Sequence, residues 1–250
     1  MKEEEIKVLD ELIKKLGNEN LRILDAATGS GMTTLEIAKR VRGKVISVDI
    51  NPLKTAEKRI RDANLTSKVE FLKGNLAKMD FLDENSMDAI VSHATLSSIP
   101  TETPFMLVNV FKEFFRVLKP NGILLVIDYY PLNKVMVKSK ADEIAQEAWR
   151  VYKAVCELLG DYHHVELPPE WVCETMTDVG FKDVYFRKVS ERNLSESFGE
   201  YVENMLQYVK EIKDNGLRKA FKNKILQLEK DAKIYGKSDY SDTYCVWGRK

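Results

Sequence analysis

The chain has 250 residues, with 39 Lys and Arg against 39 Asp and Glu, so its formal net charge is zero. That length can bury a sizeable core, and the charge balance advertises no polyanionic partner, so nucleic acid is not favoured. The longest apolar run, Ile123 to Ile127, is too short to span a bilayer, and Met1-Lys-Glu-Glu-Glu lacks the apolar core of a signal peptide, so no membrane partner and a cytoplasmic location are expected.

In chain order, Ile6, Leu9, Leu12, Ile13 and Leu16 form one stripe and predict a helix from Glu4 to Leu16, stopped by Gly17-Asn18. A strand over 21–25 follows, then a turn through Gly29 and Gly31 and a helix to about Val41. Lys44 to Asp49 reads as a second strand. Asn51-Pro52 opens a helix over Leu53 to Ala63, with Pro52 suited to its first turn. Strands at 69–72 and 89–91, a helix from Phe105 to Leu118, a Lys119-Pro-Asn-Gly122 turn and a strand over Ile123 to Asp128 continue the alternation.

After Pro131 the pattern changes. A long helix is expected over Val135 to Leu159, a shorter one to about Val179, a strand at 184–189, two helices between Leu194 and Tyr235 broken at Asn215-Gly216, and a last strand over 243–247. Strands alternating with helices predict an α/β fold with a doubly wound, mostly parallel sheet. The expected organisation is a single domain over 1–250. Its core comprises 18–130, 165–190 and 240–250, and helical cap insertions occupy about 133–162 and 194–236.

Ligands of such sheets bind beyond the carboxyl ends of the strands, where Asp25, Asn75, Asp49, His93 and Asp128 all fall. The glycine turn offers close backbone approach and unpaired N–H groups at a helix start, which suits a nucleotide. No Lys-Ser or Lys-Thr follows the glycines, which argues against a phosphate loop, and Thr34 stands where the dinucleotide fingerprint has its last glycine. Taken alone, the turn reads better as an ordinary tight turn.

Asp25-Ala-Ala-Thr-Gly-Ser-Gly31, Val48-Asp49, Gly74-Asn75-Leu76 with Asp83-Glu-Asn-Ser-Met-Asp88, and Val117-Leu-Lys-Pro-Asn-Gly122 occur in that order. Together they resemble the motifs of class I S-adenosylmethionine-dependent methyltransferases, and the Ala-Thr-Gly wording is nearest to the quinone-biosynthesis C-methyltransferases. The likeness covers Leu21 to Asp128 closely and the terminal strands more loosely. It implies a seven-stranded sheet with an antiparallel last strand, and S-adenosyl-L-methionine as cofactor. It also implies a contact set of Asp25, Ala27, Thr28, Gly29, Ser30, Gly31, Asp49, Ile50, Asn75, Leu76, Ser92 and His93, with Asp49 gripping the ribose hydroxyls. Two positions depart from the pattern: Ala27 replaces the usual first glycine, and Asn75 stands where many members have Asp. An amide oxygen still accepts from the adenine amino group, without the charge assistance.

On the acceptor side, His93, Asp128 and Tyr130 are the catalytic candidates, with Tyr129 beside them. A strand-end His bonded only to backbone is an equal reading of His93, and a helix-capping acid is the alternative for Asp49. No metal is expected: His163 and His164 are adjacent without an acidic partner at ligand spacing, and Cys156, Cys173 and Cys245 lack any C-x-x-C spacing. Phe198, Tyr201, Met205 and Tyr208 can line an acceptor pocket, but such a stripe is more usually core. The expected function is methyl transfer to a small-molecule acceptor by in-line displacement. The alternatives are a protein or RNA methyltransferase, or a noncatalytic cofactor-binding module whose 195–235 hairpin holds a partner or a second copy in a homodimer.

Overall fold

The computed structural model describes residues 1–17, 20–99, 106–133, 137–161, 165–191 and 198–250, apart from the side chains of 199–201. Helix α1 (Glu3–Leu16) leads into β1 (Arg22–Ala26), α2 (Met32–Arg40), β2 (Lys44–Asp49), α3 (Lys54–Asp62), β3 (Val69–Lys73), β4 (Met87–His93), α4 (Met106–Val117) and β5 (Leu118–Tyr129). The chain continues through α5 (Lys140–Leu158), α6 (Pro169–Val179), β6 (Lys182–Ser190), α7 (Phe198–Glu211), α8 (Asn215–Tyr235) and β7 (Thr243–Arg249).

The strands form one seven-stranded sheet in the order β3-β2-β1-β4-β5-β7-β6. Strands β1 to β5 pair in parallel, and β7 runs antiparallel to both β5 and β6. This is the doubly wound sheet that the alternation predicts, with the antiparallel last strand that the resemblance implies.

Successive side chains of a strand point to opposite faces, so a sheet covered on both sides needs apolar residues at nearly every position. Ile23, Val45, Val91 and Leu125 pack with Leu9, Leu12 and Ile37 of α1 and α2. Their neighbours Leu24, Ile46, Ile90 and Leu124 pack the other way, with Phe111 and Phe114 of α4 and Met176 of α6. A third cluster stands apart from the sheet, joining Val155 of α5, Met205 and Val209 of α7, and Ile225 and Leu228 of α8. Among the described residues, no helix is long and apolar enough to cross a membrane.

Three element boundaries differ from expectation. Helix α3 begins at Lys54 with Leu53 as its cap, so Pro52 precedes the helix. The Asp49 carboxylate accepts from Asn51 N at 2.8 Å and holds the chain in a turn there. Helix α5 begins at Lys140 because the Ser139 side chain caps it by accepting from Asp142 N at 3.1 Å. The Lys119 to Gly122 turn lies within β5: Met87 pairs with Leu118 and Ala89 already with Ile123, so these residues buckle out opposite Asp88. Asn121 takes the left-handed φ of 65° that the buckle needs, and Asn121 N donates to Lys250 O at 3.0 Å. The expected helix starts at Phe105, Val135 and Leu194, and the His163-His164 pair, lie outside the described residues.

Candidate functional site

Strand β1 carries Asp25 and Ala26 to the rim of the sheet, and the chain then turns sharply. Ala27 adopts φ 67°, and the amides of Ala27 and Thr28 both donate to Val48 O at 3.0 Å, which ties the turn to β2. A side-chain Cβ at Gly29 would meet no protein atom within 4 Å, so the turn leaves open space there. Gly31 is needed for another reason. A Cβ on it would lie 2.8 Å from both Cα and Cβ of Ala56, so α3 approaches as closely as it does only because the residue is glycine.

Asp49, at the end of β2, stands beside this turn. Its Oδ2 accepts from Gly29 N at 2.8 Å while its Oδ1 accepts from Asn51 N, so each oxygen keeps further acceptor capacity. It does not cap α3, whose N-cap is Leu53 with no side-chain bond. Under the turn lies a buried polar network. Thr34 Oγ1 donates to Asp25 Oδ2 at 2.5 Å, Ser47 Oγ donates to the same oxygen at 3.2 Å, and Thr28 and Ser47 hydroxyls pair at 2.7 Å. Burial pushes the Asp25 carboxyl up to about 6, against the pull of the Thr34 and Ser47 hydrogen bonds.

A cavity of about 310 Å³ opens on this corner, walled by Ala27, Gly29, Asp49, Ile50, Asn75 and Leu76. Its far wall is Thr95, Ser98, Ile99 and Met106, none of which sequence reasoning singled out. A larger hollow of about 640 Å³ lies between α5 and α8, walled by Lys140, Glu143, Glu147, Arg150, Lys224 and other residues. Its charges largely pair with one another, whereas the smaller cavity joins apolar walls to convergent polar groups, which is how small-molecule sites are built. Asn75 Oδ1 accepts from Ala77 N at 2.9 Å, which leaves that oxygen a second lone pair.

Six of the expected contacts do not wall the cavity: Asp25, Thr28, Ser30, Gly31, Ser92 and His93. Ser92 is fully buried, and its hydroxyl has no hydrogen-bond partner among the described residues. His93 turns to the α1 and α2 side, where its Nδ1 lies 3.2 Å from Thr33 Oγ1 and its Nε2 3.3 Å from Glu5 Oε2. Asp128 is also engaged on both oxygens, by Leu96 N at 2.9 Å and Tyr129 N at 2.8 Å. Burial raises its carboxyl to about 6, with those two N–H groups pulling the other way. Tyr130 meets Tyr244 edge-on at 5.1 Å, and burial, with Glu170 nearby, raises its hydroxyl.

The three catalytic candidates therefore do not converge on one open point. Between them runs a turn with Ala94 at φ 52°, where Thr95 Oγ1 donates to Ala26 O at 2.9 Å and ties the ends of β1 and β4 together. Beyond β5, the Tyr129 ring packs on Tyr240 at 4.9 Å, and Tyr240 stacks flat on Trp149 at 4.3 Å. Trp149 Nε1 donates to the buried carboxylate of Glu166, which also pairs with Lys153 at 2.8 Å. Phe198 and Met205 of the aromatic and Met stripe are interior to the helix cluster, and Tyr208 meets Tyr152 there at 5.8 Å. The Tyr201 side chain lies outside the described residues.

A family model described as a methyltransferase domain matches residues 17–178. A ubiquinone/menaquinone biosynthesis C-methyltransferase of Rickettsia typhi is 33% identical over 136 residues, 52% of this chain and 52% of that protein. The chain thus spans about half the length of the curated relatives it matches. Among solved structures, a SAM-dependent methyltransferase from Methanosarcina mazei superposes with TM-score 0.60 and 20% identity, covering 95% of this chain and 96% of that one. The [4+2]-cyclase SpnF superposes equally, with TM-score 0.60, 17% identity and coverage of 98% and 80%. At such identities these likenesses show the fold alone.

Proposed function

We infer the function from one premise: the chain belongs to the class I S-adenosylmethionine-dependent methyltransferase family. On our reading it binds S-adenosylmethionine in the 310 Å³ cavity and transfers the methyl group to a small-molecule acceptor. One observation carries the reading. Asp49 stands on the cavity wall with its carboxylate fixed by Gly29 N and Asn51 N, beside a glycine where added side-chain volume would fall in open space.

The residues present fit the cofactor. The Asp49 oxygens would accept from the ribose hydroxyls, Ile50 and Leu76 would supply apolar wall to the adenine side, and the free lone pair of Asn75 Oδ1 would serve its amino group. The buried Asp25 carboxylate supplies negative charge near the amino-acid end. When bound, S-adenosylmethionine supplies a methyl group already activated on sulfur. The chain must then mainly orient an acceptor and exclude water, because alignment contributes roughly 7–11 kcal/mol where a general base adds roughly 3–5. Both nitrogens of His93 and both oxygens of Asp128 are held by protein, which supports positioning roles for them.

The small-molecule reading is supported by the likeness to the ubiquinone/menaquinone biosynthesis C-methyltransferase over 136 residues. We take α5, α7 and α8 as the cap of a single domain, and the cytoplasm as its location. The test is to incubate the protein with methyl-labelled cofactor and fractionated cell extract. Label in the small-molecule fraction is expected. Label confined to protein or RNA would replace the acceptor class, and tight cofactor binding without any labelled product would replace the enzyme by a binding module.

A further inference from the structure

Helix α8 carries six Lys and Arg residues against two acidic ones, in a chain whose charges balance overall. Its buried stripe, Ile225, Leu228 and Ala232, faces α5 and α7. The opposite stripe is read at helical spacing as Lys219, Lys222, Leu226, Lys230, Lys233 and Ile234. The four lysines are exposed, Leu226 is half-buried, and Ile234 is 71% exposed. No carboxylate falls on this stripe. Lys233 pairs with Glu229 at its margin, while Lys219, Lys222 and Lys230 form no ion pair with a described residue.

We propose that this outer face of α8 is a docking surface for an anionic lipid membrane, on which the protein lies without crossing it. Two observations combine. The lysines are complementary to anionic headgroups, and the aliphatic chains of Leu226 and Ile234 sit among them rather than under them. Next to phosphate alone, as on a nucleic acid, those aliphatic groups gain nothing, and the stripe offers no aromatic ring on which a base could stack. At a lipid interface the same mixture is favourable throughout: lysine stems and aliphatic groups enter the headgroup layer while the ammonium groups meet the phosphates. The inference is independent of the acceptor and of methyl transfer.

The experiment is co-sedimentation of the intact protein with vesicles of phosphatidylcholine, with and without about one third phosphatidylglycerol. Binding to the anionic vesicles only is expected, and raised salt should weaken it, because surface charge attraction is screened. Lys219→Gln/Lys222→Gln/Lys230→Gln should reduce partitioning about fivefold per lysine, roughly 100-fold together. Ile234→Ser should reduce it without changing the salt dependence. Circular dichroism and cofactor affinity, unchanged in these variants, report that the fold and the β2 corner are intact. Equal binding to both vesicles, or undiminished binding by the triple variant, overturns the proposal. So does tighter binding to a single-stranded RNA that displaces the vesicles.

Discussion

Glu5 and His93, 88 positions apart in the chain, meet at 3.3 Å between the first turn of α1 and the end of β4. The Glu5 side chain is almost fully buried, and its Oε2 also accepts from Lys2 N at 2.7 Å. Burial alone would raise this carboxyl, but His93 and the Lys2 amide outweigh it and hold it below the ordinary glutamate value. A carboxyl lowered in the folded state contributes stability above its unfolded pKa and loses it as pH falls through the folded one. Glu5→Gln should therefore cost about 1–3 kcal/mol at pH 7 and much less at pH 3. Denaturant unfolding of both proteins across that range is the measurement. A pH-independent difference would remove the Glu5 charge as the cause.

Asp25 and Asp128 carry the opposite sign. Burial raises both to about 6 from an ordinary 3.8, so their ionisation opposes folding, and stability is lost as pH rises from about 4 to about 6. The loss is at most roughly 3 kcal/mol for each, at 1.36 kcal/mol per pKa unit. In Asp25→Asn the Thr34 and Ser47 hydroxyls can rotate to suit an amide. That variant should melt at or above the wild-type temperature at pH 7.5 and lose its share of the pH 4 to 6 slope. Asp128→Asn should be destabilised throughout, because its amide nitrogen would face an N–H of Leu96 or Tyr129. Matching melting profiles for the two variants would show that their hydrogen-bond partners do not matter.

Ala27 and Gly31 make a complementary pair. Ala27 holds a left-handed φ of 67°, which costs a side-chain-bearing residue roughly 1–2 kcal/mol, partly offset because glycine would gain more freedom in the unfolded chain. Ala27→Gly should thus stabilise by up to about 1 kcal/mol. Gly31→Ala combines a φ of 79° with contact against the Ala56 backbone, so it should destabilise by about 2 kcal/mol or more and weaken cofactor binding as α3 is pushed away. Thermal melts decide both. A neutral Gly31→Ala would mean that α3 moves freely.

The sheet was legible because its two-residue alternation is complete: Ile23 and Leu24, or Leu124 and Leu125, are apolar on both faces and leave no other covered arrangement. Asp49 was legible because it ends an apolar strand beside a glycine turn. The outward turn of His93 follows from the same period, since it shares a face with Val91 toward α1 and α2, although its strand-end position alone does not reveal this. The Glu5 partnership was not legible, because an acid in a first helical turn reads as a local cap, and only the packing of α1 brings it to β4. Ser47 had a signal, a lone hydroxyl in the apolar run Val45 to Val48, which the buried Asp25 network explains. The far cavity wall had none, as Ser98 and Ile99 sit in a segment without periodicity.

Asp49 gives the sharpest test of the site. Two ribose hydroxyls donating to one carboxylate make charge-assisted bonds worth about 1.5–3 kcal/mol, so Asp49→Ala should weaken S-adenosylmethionine binding by about one to two decades in calorimetry. Part of that loss would come from releasing Gly29 N and Asn51 N, which Asp49 holds without ligand. Asp49→Asn separates the two contributions: its amide oxygen can keep the Gly29 bond and hold the turn, while the charge is lost. If ribose recognition dominates, Asn should fall near Ala in affinity but near wild type in melting temperature. If turn order dominates, affinity and melting temperature should fall together in Ala and recover together in Asn. Unchanged affinity in both variants would remove Asp49, and with it the cavity at the β2 corner, as the cofactor site.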